Sequence, residues 1–249
     1  MNKTAIITGS ASGIGAATAV ELSKRGWHVV INYSKSEAEA KKVAAKCKDA
    51  IVVQADVGDD AQCRKLMQAA MDKWGRVDAL VNNAGTTKFV KHADLDGLCA
   101  EDFLRIYRLN VVGPFQMARA CAPALKAGKG AIVNVSSVAS LLGTGSSIAY
   151  AASKAALNSL TMSLARVLGP EVRVNAVCPG YVDTPWQTGA LGQERANQAA
   201  AHYSTLVPLK DFARPEDIAD SIAWLIEGAR QVTGETIFVD GGMHMATPR

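Results

Sequence analysis

The feature that most constrains the fold is a short apolar strand that runs into a glycine-rich turn and then a helix. The strand spans Lys3 to Thr8, the turn spans Gly9 to Gly15, and the helical face that follows is apolar at Ala16, Ala19, Val20 and Leu22. The turn glycines suit a tight bend at Gly9, close approach of a pyrophosphate at Gly13, and close helix–strand packing at Gly15. Free N–H groups at a helix start favour negative charge, so the segment predicts the opening of a nucleotide-binding βαβ unit. Its spacing, Gly-x-x-x-Gly-x-Gly, differs from the standard Gly-x-Gly-x-x-Gly.

A second signal is the pair Tyr150 and Lys154, four residues apart, with Ser137 thirteen residues upstream of the tyrosine. In a helix, that spacing places the tyrosine and the lysine on one face. A lysine ammonium beside a phenol favours the phenolate, so we expect a tyrosine pKa below its ordinary value of about 10. Such a tyrosine could exchange a proton near neutral pH. Taken alone, the pair could also be solvated on a helix surface.

Motifs in order along the chain carry a resemblance to a known family. They are Thr8-Gly9-x-x-x-Gly13-Ile14-Gly15, Asn82-Asn83-Ala84-Gly85, Asn110, Ser137, Tyr150-x-x-x-Lys154, Pro179-Gly180 and Asp240-Gly241-Gly242. In these motifs the chain resembles the classical short-chain dehydrogenases/reductases, over nearly its whole length. The resemblance implies hydride transfer between a nicotinamide cofactor and a carbonyl or secondary alcohol. It is closest to 3-oxoacyl-carrier-protein reductases and to sugar or polyol dehydrogenases.

Val/Ile-rich runs alternate with helical patterns along the chain, as expected for parallel strands that are buried on both faces. We therefore predict a single-domain α/β fold over residues 1–249. It is a Rossmann-like, doubly wound sheet of seven parallel strands with helices on both faces, in the order 3-2-1-4-5-6-7 that the resemblance implies. The predicted strands are Lys3–Thr8, His28–Tyr33, Ala50–Ala55, Asp78–Asn82, Ala131–Ser136, Val172–Val177 and Thr236–Asp240.

Composition argues against several other classes of protein. The net charge is +4 and no Lys/Arg run occurs, so nucleic-acid binding has no support. No apolar run approaches the ~18 residues of a membrane span, and the first strand is too short for a signal peptide. The five cysteines and four histidines lack metal-ligand spacing. We expect a cytoplasmic protein with reduced thiols, no metal and no membrane partner.

The choice of cofactor depends on the end of the second strand. An acidic residue there accepts hydrogen bonds from the adenosine ribose and repels a 2′-phosphate. Here the positions are Tyr33, Ser34 and Lys35, and no carboxylate occurs before Glu37. A hydroxyl and an ammonium can hold a phosphate, so we favour NADP(H), with NAD(H) possible. Ser12 stands where many NADP-dependent relatives carry a basic residue, and Lys35 could simply be a solvated surface lysine.

The resemblance extends the set of cofactor-binding positions. Asp56 and Val57 resemble the pair that contacts adenine, and Asn82 could instead brace neighbouring strands. The residues expected to bind the cofactor are Gly9, Ser12, Gly13, Ile14, Gly15, Tyr33, Ser34, Lys35, Asp56, Val57, Asn82, Ala84, Gly85, Tyr150, Lys154, Pro179, Gly180, Val182 and Thr184.

The resemblance also assigns catalytic roles. Tyr150 would exchange a proton with the substrate oxygen, and Ser137 would hydrogen-bond that oxygen as charge develops. Lys154 would lower the tyrosine pKa and bind the nicotinamide ribose, and Asn110 would hold a water that links the lysine to solvent. Ser136 is a rival to Ser137, and the spacing to the tyrosine favours Ser137.

The substrate is less constrained, although Ser137, Tyr150, Tyr181 and Trp186 are expected to contact it. An apolar wall is predicted from Phe89, Leu141, Leu142, Tyr181, Trp186, Leu191 and Tyr203. An acidic acyl carrier protein would need basic residues beside the mouth of the site. Lys126 and Lys129 could serve, but Gly169-Pro170-Glu171 is not basic.

Two features of quaternary structure and motion are also predicted. The long irregular stretch from Thr184 to Leu209, which contains a polar helical run from Gln193 to Gln198, is expected to be a mobile lid over the cofactor and substrate. The alternative is a permanently packed helical insertion. The helix that carries Tyr150 is apolar around most of its circumference, so we expect a homo-oligomer, and a homotetramer in particular. A non-catalytic dinucleotide-binding regulator is the alternative from another functional class.

Overall fold

The computed structural model describes residues 2–246, apart from the side chains of residues 190 and 191. Its sheet has seven parallel strands in the order β3-β2-β1-β4-β5-β6-β7, which confirms the predicted topology. The strands are β1 (Thr4–Ile7), β2 (His28–Tyr33), β3 (Ala50–Gln54), β4 (Ala79–Asn82), β5 (Ala131–Val135), β6 (Arg173–Pro179) and β7 (Thr236–Val239).

Helices cover both faces of this sheet, because its strands are apolar on both sides. They are α1 (Gly13–Lys24), α2 (Glu37–Ala44), α3 (Asp60–Trp74), α4 (Ala100–Tyr107), α5 (Gly113–Gly128), α6 (Ala139–Leu142), α7 (Ile148–Leu168), α8 (Pro185–Leu191), α9 (Gln193–Leu206) and α10 (Pro215–Glu227). On one face, Leu22 of α1 packs with Ile222 of α10. On the other, Met117 of α5 packs with Leu66 of α3 and Leu164 of α7.

The stretch from Thr184 to Leu209 is helical over much more of its length than the predicted run from Gln193 to Gln198, which corrects its description as irregular. Helices α8 and α9 occupy most of it, and Gly192 joins them with a φ of +76°. Pro185 starts α8, where its missing N–H costs nothing. Ala196 and Ala200 are buried on one face of α9, so this face packs against the rest of the protein.

Within residues 2–246, no helix combines the length and the apolar character needed to cross a membrane.

Candidate active site

A cleft of about 1220 Å³ runs along the edge of the sheet where the strands end. Ligands bind at this edge of open α/β sheets, because loops from neighbouring strands diverge there. The cleft begins at the glycine turn before α1 and reaches Tyr150, Lys154 and Trp186 at its other end. The cleft therefore joins residues that are far apart in sequence, those predicted to bind the cofactor and those predicted to be catalytic, in one site.

The glycine turn is built so that backbone lines the cleft. Gly9 has a φ of +62°, and a Cβ there would lie 2.9 Å from Cα of Ala84. Gly13 has a φ of +55° and lines the cleft, and a Cβ there would lie 3.3 Å from Cγ2 of Thr184. Gly15 does not line the cleft; a Cβ there would lie 2.8 Å from the carbonyl oxygen of Gly9. Gly15 thus serves the packing of α1, and its expected contact with a cofactor has no support.

At the end of β2, Asn32, Ser34 and Lys35 line the cleft, whereas Tyr33 does not. Tyr33 is buried in the apolar cluster beneath α1 and α2, because successive side chains of a strand point to opposite faces. The expectation that Tyr33 faces the cofactor is therefore corrected. The nearest carboxylate along the chain, that of Glu37, pairs with Lys41 at 2.7 Å.

Asp56 and Val57 line the cleft beyond β3, as expected. Oδ1 of Asp56 accepts a hydrogen bond from the N–H of Gly58 at 2.9 Å, which shapes the turn. Arg108 reaches this turn from the segment after α4, with Nη2 3.1 Å from Oδ2 of Asp56 and Nε 3.1 Å from the carbonyl oxygen of Gly58. Arg108 also lines the cleft, and no motif in the sequence indicated it.

Of the two asparagines that end β4, Asn83 rather than Asn82 lines the cleft. Asn82 is buried, and its Nδ2 donates to Oδ1 of Asn134 on β5 at 2.9 Å. It therefore braces neighbouring strands, the alternative considered for it, and its expected cofactor contact is corrected. Asn83 donates through Nδ2 to the carbonyl oxygens of Thr8 and Gly9, and so holds the glycine turn.

Helix α7 carries Tyr150 and Lys154 on one face, and both line the cleft. Ser137, in the loop after β5, lines the cleft together with Tyr150, and its side chain acts to lower the pKa of that phenol. Ser137 Oγ accepts a hydrogen bond from the N–H of Ala139 at 3.2 Å, which leaves the Ser137 proton free to be donated. The rival Ser136 is buried and donates to the carbonyl oxygen of Lys154 at 3.2 Å, so its hydroxyl is already used.

The electrostatics of this pair correct the expectation of a lowered tyrosine pKa. Burial raises the pKa of Tyr150 to about 12, and the side chain of Ser137 acts in the opposite direction. Lys154 is buried as well, and burial lowers its pKa to about 8. Removal from water is the largest cause of both shifts, and the ammonium lies by the ring of Tyr150, 5.7 Å from its centre.

Asn110 lies next to this group of residues but does not line the cleft. It is fully buried in a π-helical turn, Arg108–Val112, between α4 and α5. Its side chain accepts from the N–H of Thr86 at 2.8 Å and donates to Oγ of Ser153 at 3.0 Å. A Cβ at Gly85 would meet Oδ1 of Asn110 at 3.3 Å and Nζ of Lys154 at 3.7 Å, so glycine there keeps these two groups close.

The end of β6 and the segment after it close the far side of the cleft. Pro179, Gly180, Val182 and Thr184, which are predicted to bind the cofactor, line it. The carbonyl oxygen of Pro179 accepts from the N–H of Val138 at 2.9 Å, which ties β6 to the loop that holds Ser137.

Aromatic side chains form much of the wall near Tyr150. The ring of Trp186 lies 6.2 Å from the ring of Tyr150, and the hydroxyl of Tyr181 donates to the carbonyl oxygen of Ala196 in α9 at 2.8 Å. Among the residues predicted for the apolar wall, the structure places Phe89, Leu142, Tyr181, Trp186 and Tyr203 in the cleft lining. Leu141 is exposed outside it, and the side chain of Leu191 lies outside the described residues.

Lys126 and Lys129 do not lie beside the mouth of the cleft, which corrects the suggestion that they could bind an acidic acyl carrier protein there. They lie just before β5, at the opposite end of the strand from Ser136 and Ser137. The cations that do line the cleft include Lys35, Arg105 and Arg108, all exposed. Met243, in the turn after β7, also lines it and was not singled out by any motif.

Comparisons with known proteins agree with this geometry. A family profile described as "Enoyl-(Acyl carrier protein) reductase" matches residues 9–244. The chain is 42% identical to the protein named as ketoacyl reductase 2 of the granaticin polyketide synthase of Streptomyces violaceoruber, covering 97% of this chain and 96% of that one. It is 34% identical to the 3-oxoacyl-[acyl-carrier-protein] reductase of Staphylococcus aureus, covering 98% and 99%. A crystal structure described as a short-chain dehydrogenase/reductase from Burkholderia xenovorans superposes with a TM-score of 0.92 at 40% identity, covering 98% and 99%.

Proposed function

This chain belongs to the classical short-chain dehydrogenase/reductase family, and we propose that it is an NADP(H)-preferring reductase of 3-oxoacyl thioesters with Tyr150 as its general acid. The family makes it an oxidoreductase that uses a nicotinamide dinucleotide. The observation that carries the proposal is that Ser137, Tyr150 and Lys154 line one end of a cleft whose other end is a glycine turn.

The residues present fit a dinucleotide. Glycines at positions 9, 13 and 85 line the cleft, where a Cβ would press on neighbouring protein atoms, and the N-terminus of α1 would offer free N–H groups to a diphosphate. Lys154 would bind the nicotinamide ribose, and Asp56 and Val57 would contact the adenine. When bound, the nicotinamide supplies the hydride for reduction.

In reduction, the protein's own task is to bind the ketone and deliver a proton. The Ser137 hydroxyl donates to the carbonyl oxygen and stabilises the charge that develops there. A Tyr150 pKa of about 12 keeps the phenol protonated at neutral pH, so it is ready to give its proton to the same oxygen. Asn110 would hold a water that links Lys154 to solvent and so allows the proton to be replaced.

The preference for NADP(H) is supported by the cleft lining after β2. Ser34 and Lys35 line the cleft there, and Glu37 is engaged by Lys41. No acidic side chain among these lining residues would oppose a 2′-phosphate, and a lysine lies within the same stretch to attract it. The same open site could admit NAD(H) with lower affinity.

The substrate class is supported by the names of the relatives and by charge. Two relatives are named for the reduction of ketoacyl groups. Such groups are carried on phosphate-bearing thioester arms, and the exposed Arg105 in the cleft lining offers a cation to such an arm. An NAD(H)-dependent alcohol or sugar dehydrogenase is the rival activity, and a non-catalytic dinucleotide-binding regulator is the rival of another class.

A substrate panel separates these functions. In the reductive direction, purified protein would be mixed with NADPH or NADH and one of four compounds: a 3-oxoacyl thioester, its saturated acyl thioester, a 2-enoyl thioester or a simple ketone. In the oxidative direction it would be mixed with oxidised cofactor and an aldohexose. Nicotinamide absorbance would be followed in both. We expect the fastest turnover with the 3-oxoacyl thioester and NADPH, and none with the saturated control. Preferential oxidation of the sugar would overturn the thioester proposal, and binding of cofactor without turnover of any compound would favour the regulator.

A further inference from the structure

A half-buried chain of hydrogen bonds outside the cleft lining joins Ser137 to α7. We propose that Ser140 and Asn158 are positioning residues that orient Ser137, and through it the proton-donating pair; this rests on the proposed reductase function. Neither residue lines the cleft, so both would act through Ser137 rather than on substrate.

The first link joins Ser140 to the backbone of Ser137. Ser140 lies in α6, and its hydroxyl donates to the carbonyl oxygen of Ser137 at 2.6 Å. That carbonyl precedes the turn in which the N–H of Ala139 donates to Ser137 Oγ. The two bonds hold the residue from both sides, one through its backbone and one through its side chain.

The second link joins this turn to the catalytic helix. Nδ2 of Asn158 donates to Oγ of Ser140 at 2.8 Å. Tyr150, Lys154 and Asn158 are spaced by four residues along α7, so they form one stripe on its surface. Helix α7 therefore places Tyr150 in the cleft lining that it shares with Ser137, and it fixes the Ser137 backbone through Asn158 and Ser140.

The third link anchors the chain of bonds in the sheet. Sγ of Cys178, buried on β6, lies 3.9 Å from Oδ1 of Asn158 and 3.7 Å from Oγ of Ser140. These contacts are weak, but they show that the side-chain amide of Asn158 lies between β6 and α6. With Oγ of Ser140 accepting from Asn158, its own proton is available for the carbonyl oxygen of Ser137, which at 2.6 Å is a closer acceptor than Sγ of Cys178 at 3.7 Å.

A double-mutant cycle tests this role. We expect Ser140→Ala and Asn158→Leu each to lower kcat by about 10-fold, the effect of losing one positioning hydrogen bond, with the Kd for NADPH unchanged. In a Ser137→Ala background the same substitutions should change kcat less than about 2-fold, because the group they position is gone. Ser163→Ala, on the exposed face of α7, is the matched control and should leave kcat unchanged. Equal losses in both backgrounds, or no loss in the first, would overturn the inference.

A second readout does not depend on turnover. Hydrogen exchange at the amide of Ala139, which donates to Ser137 Oγ, should be at least about 5-fold faster in Ser140→Ala and Asn158→Leu than in the wild type. Unchanged exchange at this amide would overturn the inference, whether or not the wild type reduces a ketone. A wild type that reduces no ketone would refute the proposed function, which is a separate result. If either variant fails to fold, the other carries the same test.

Discussion

Nζ of Lys154 lies 5.7 Å from the centre of the Tyr150 ring and donates to the carbonyl oxygen of Val135, at the end of β5, at 2.8 Å. The lysine is thus anchored to the sheet rather than to the phenol oxygen. Both groups are withdrawn from water, which raises the pKa of Tyr150 to about 12 and lowers that of Lys154 to about 8. Near neutral pH this favours a protonated phenol beside an ammonium that is close to its titration point.

Affinity for the anionic cofactor should therefore depend on pH. Because the ammonium of Lys154 attracts the cofactor and loses its proton with a pKa of about 8, the Kd for NADPH should rise as pH increases through that value. If cofactor binding raises the pKa of Lys154 by about one unit, the Kd for NADPH should be about 10-fold higher at pH values above both pKa values than at pH values below them. Fluorescence titration of NADPH across this range measures the effect. In Lys154→Met the Kd for NADPH should be higher than in the wild type and independent of pH around 8. A wild-type Kd that stays constant across this pH range would contradict the prediction.

Cofactor preference should respond to charge at the end of β2. Ser34→Asp and Lys35→Glu should each lower the ratio of kcat/KM for NADPH to that for NADH by about 10-fold or more, because a carboxylate repels the 2′-phosphate. Lys48→Glu makes the same change of charge at an exposed position outside the cleft lining and should leave the ratio unchanged. A wild type that already prefers NADH would show that the assignment to NADP(H) is wrong.

The segment from Thr184 to Leu209 should close over bound ligands. The hydroxyl of Tyr203 in α9 donates to the carbonyl oxygen of Asp240 at 2.6 Å, and a Cβ at Gly180 would collide with that hydroxyl. Hydrogen exchange in α8 and α9 should slow when NADP(H) and substrate bind, and Tyr203→Phe should speed it in the free protein. Strong and equal protection in the free and bound wild type would instead indicate a permanently packed insertion.

The protein should form a homotetramer. Met162 and Val167 of α7 and Phe115 of α5 are exposed by 45%, 67% and 42%, although Leu157 and Leu164 of the same α7 are buried in the chain itself. A second copy could cover these exposed apolar side chains, and closed symmetry is the usual result. Analytical ultracentrifugation at micromolar concentration should give four times the mass of the chain, and Phe115→Glu should shift the mass downward. A wild-type monomer would refute the prediction.

The topology was accessible from sequence because apolar runs and glycine turns report directly on strands and their ends. The strip formed by Tyr150 and Lys154 followed from helical spacing alone. The incorrect predictions concerned the direction in which a side chain points and the extent to which it is removed from water. At the ends of β2 and β4, a shift of one residue exchanges the two faces of a strand, so Tyr33 and Asn82 are buried while Ser34 and Asn83 line the cleft.

Other parts of the site have no local sequence signal. Spacing predicts that a lysine lies near a phenol, but the burial that sets the direction of both pKa shifts depends on the whole fold. Arg108 begins the π-helical turn after α4, and its contact with the turn after β3 joins residues 52 positions apart in sequence. The link from Asn158 to Ser140 joins residues 18 positions apart in sequence, and only the packing of α6 on α7 brings them together.

The most direct test of Tyr150 as the proton donor is a single-turnover comparison of the wild type with Tyr150→Phe. Enzyme in excess, saturated with NADPH, would be mixed with the 3-oxoacyl thioester, and the loss of nicotinamide absorbance would be timed. Removing the hydroxyl should slow this step by at least ~10²-fold while the Kd for NADPH stays the same, since the ring still packs. Tyr107→Phe, outside the cleft lining, should react at the wild-type rate. A Tyr150→Phe rate equal to that of the wild type would contradict the assignment.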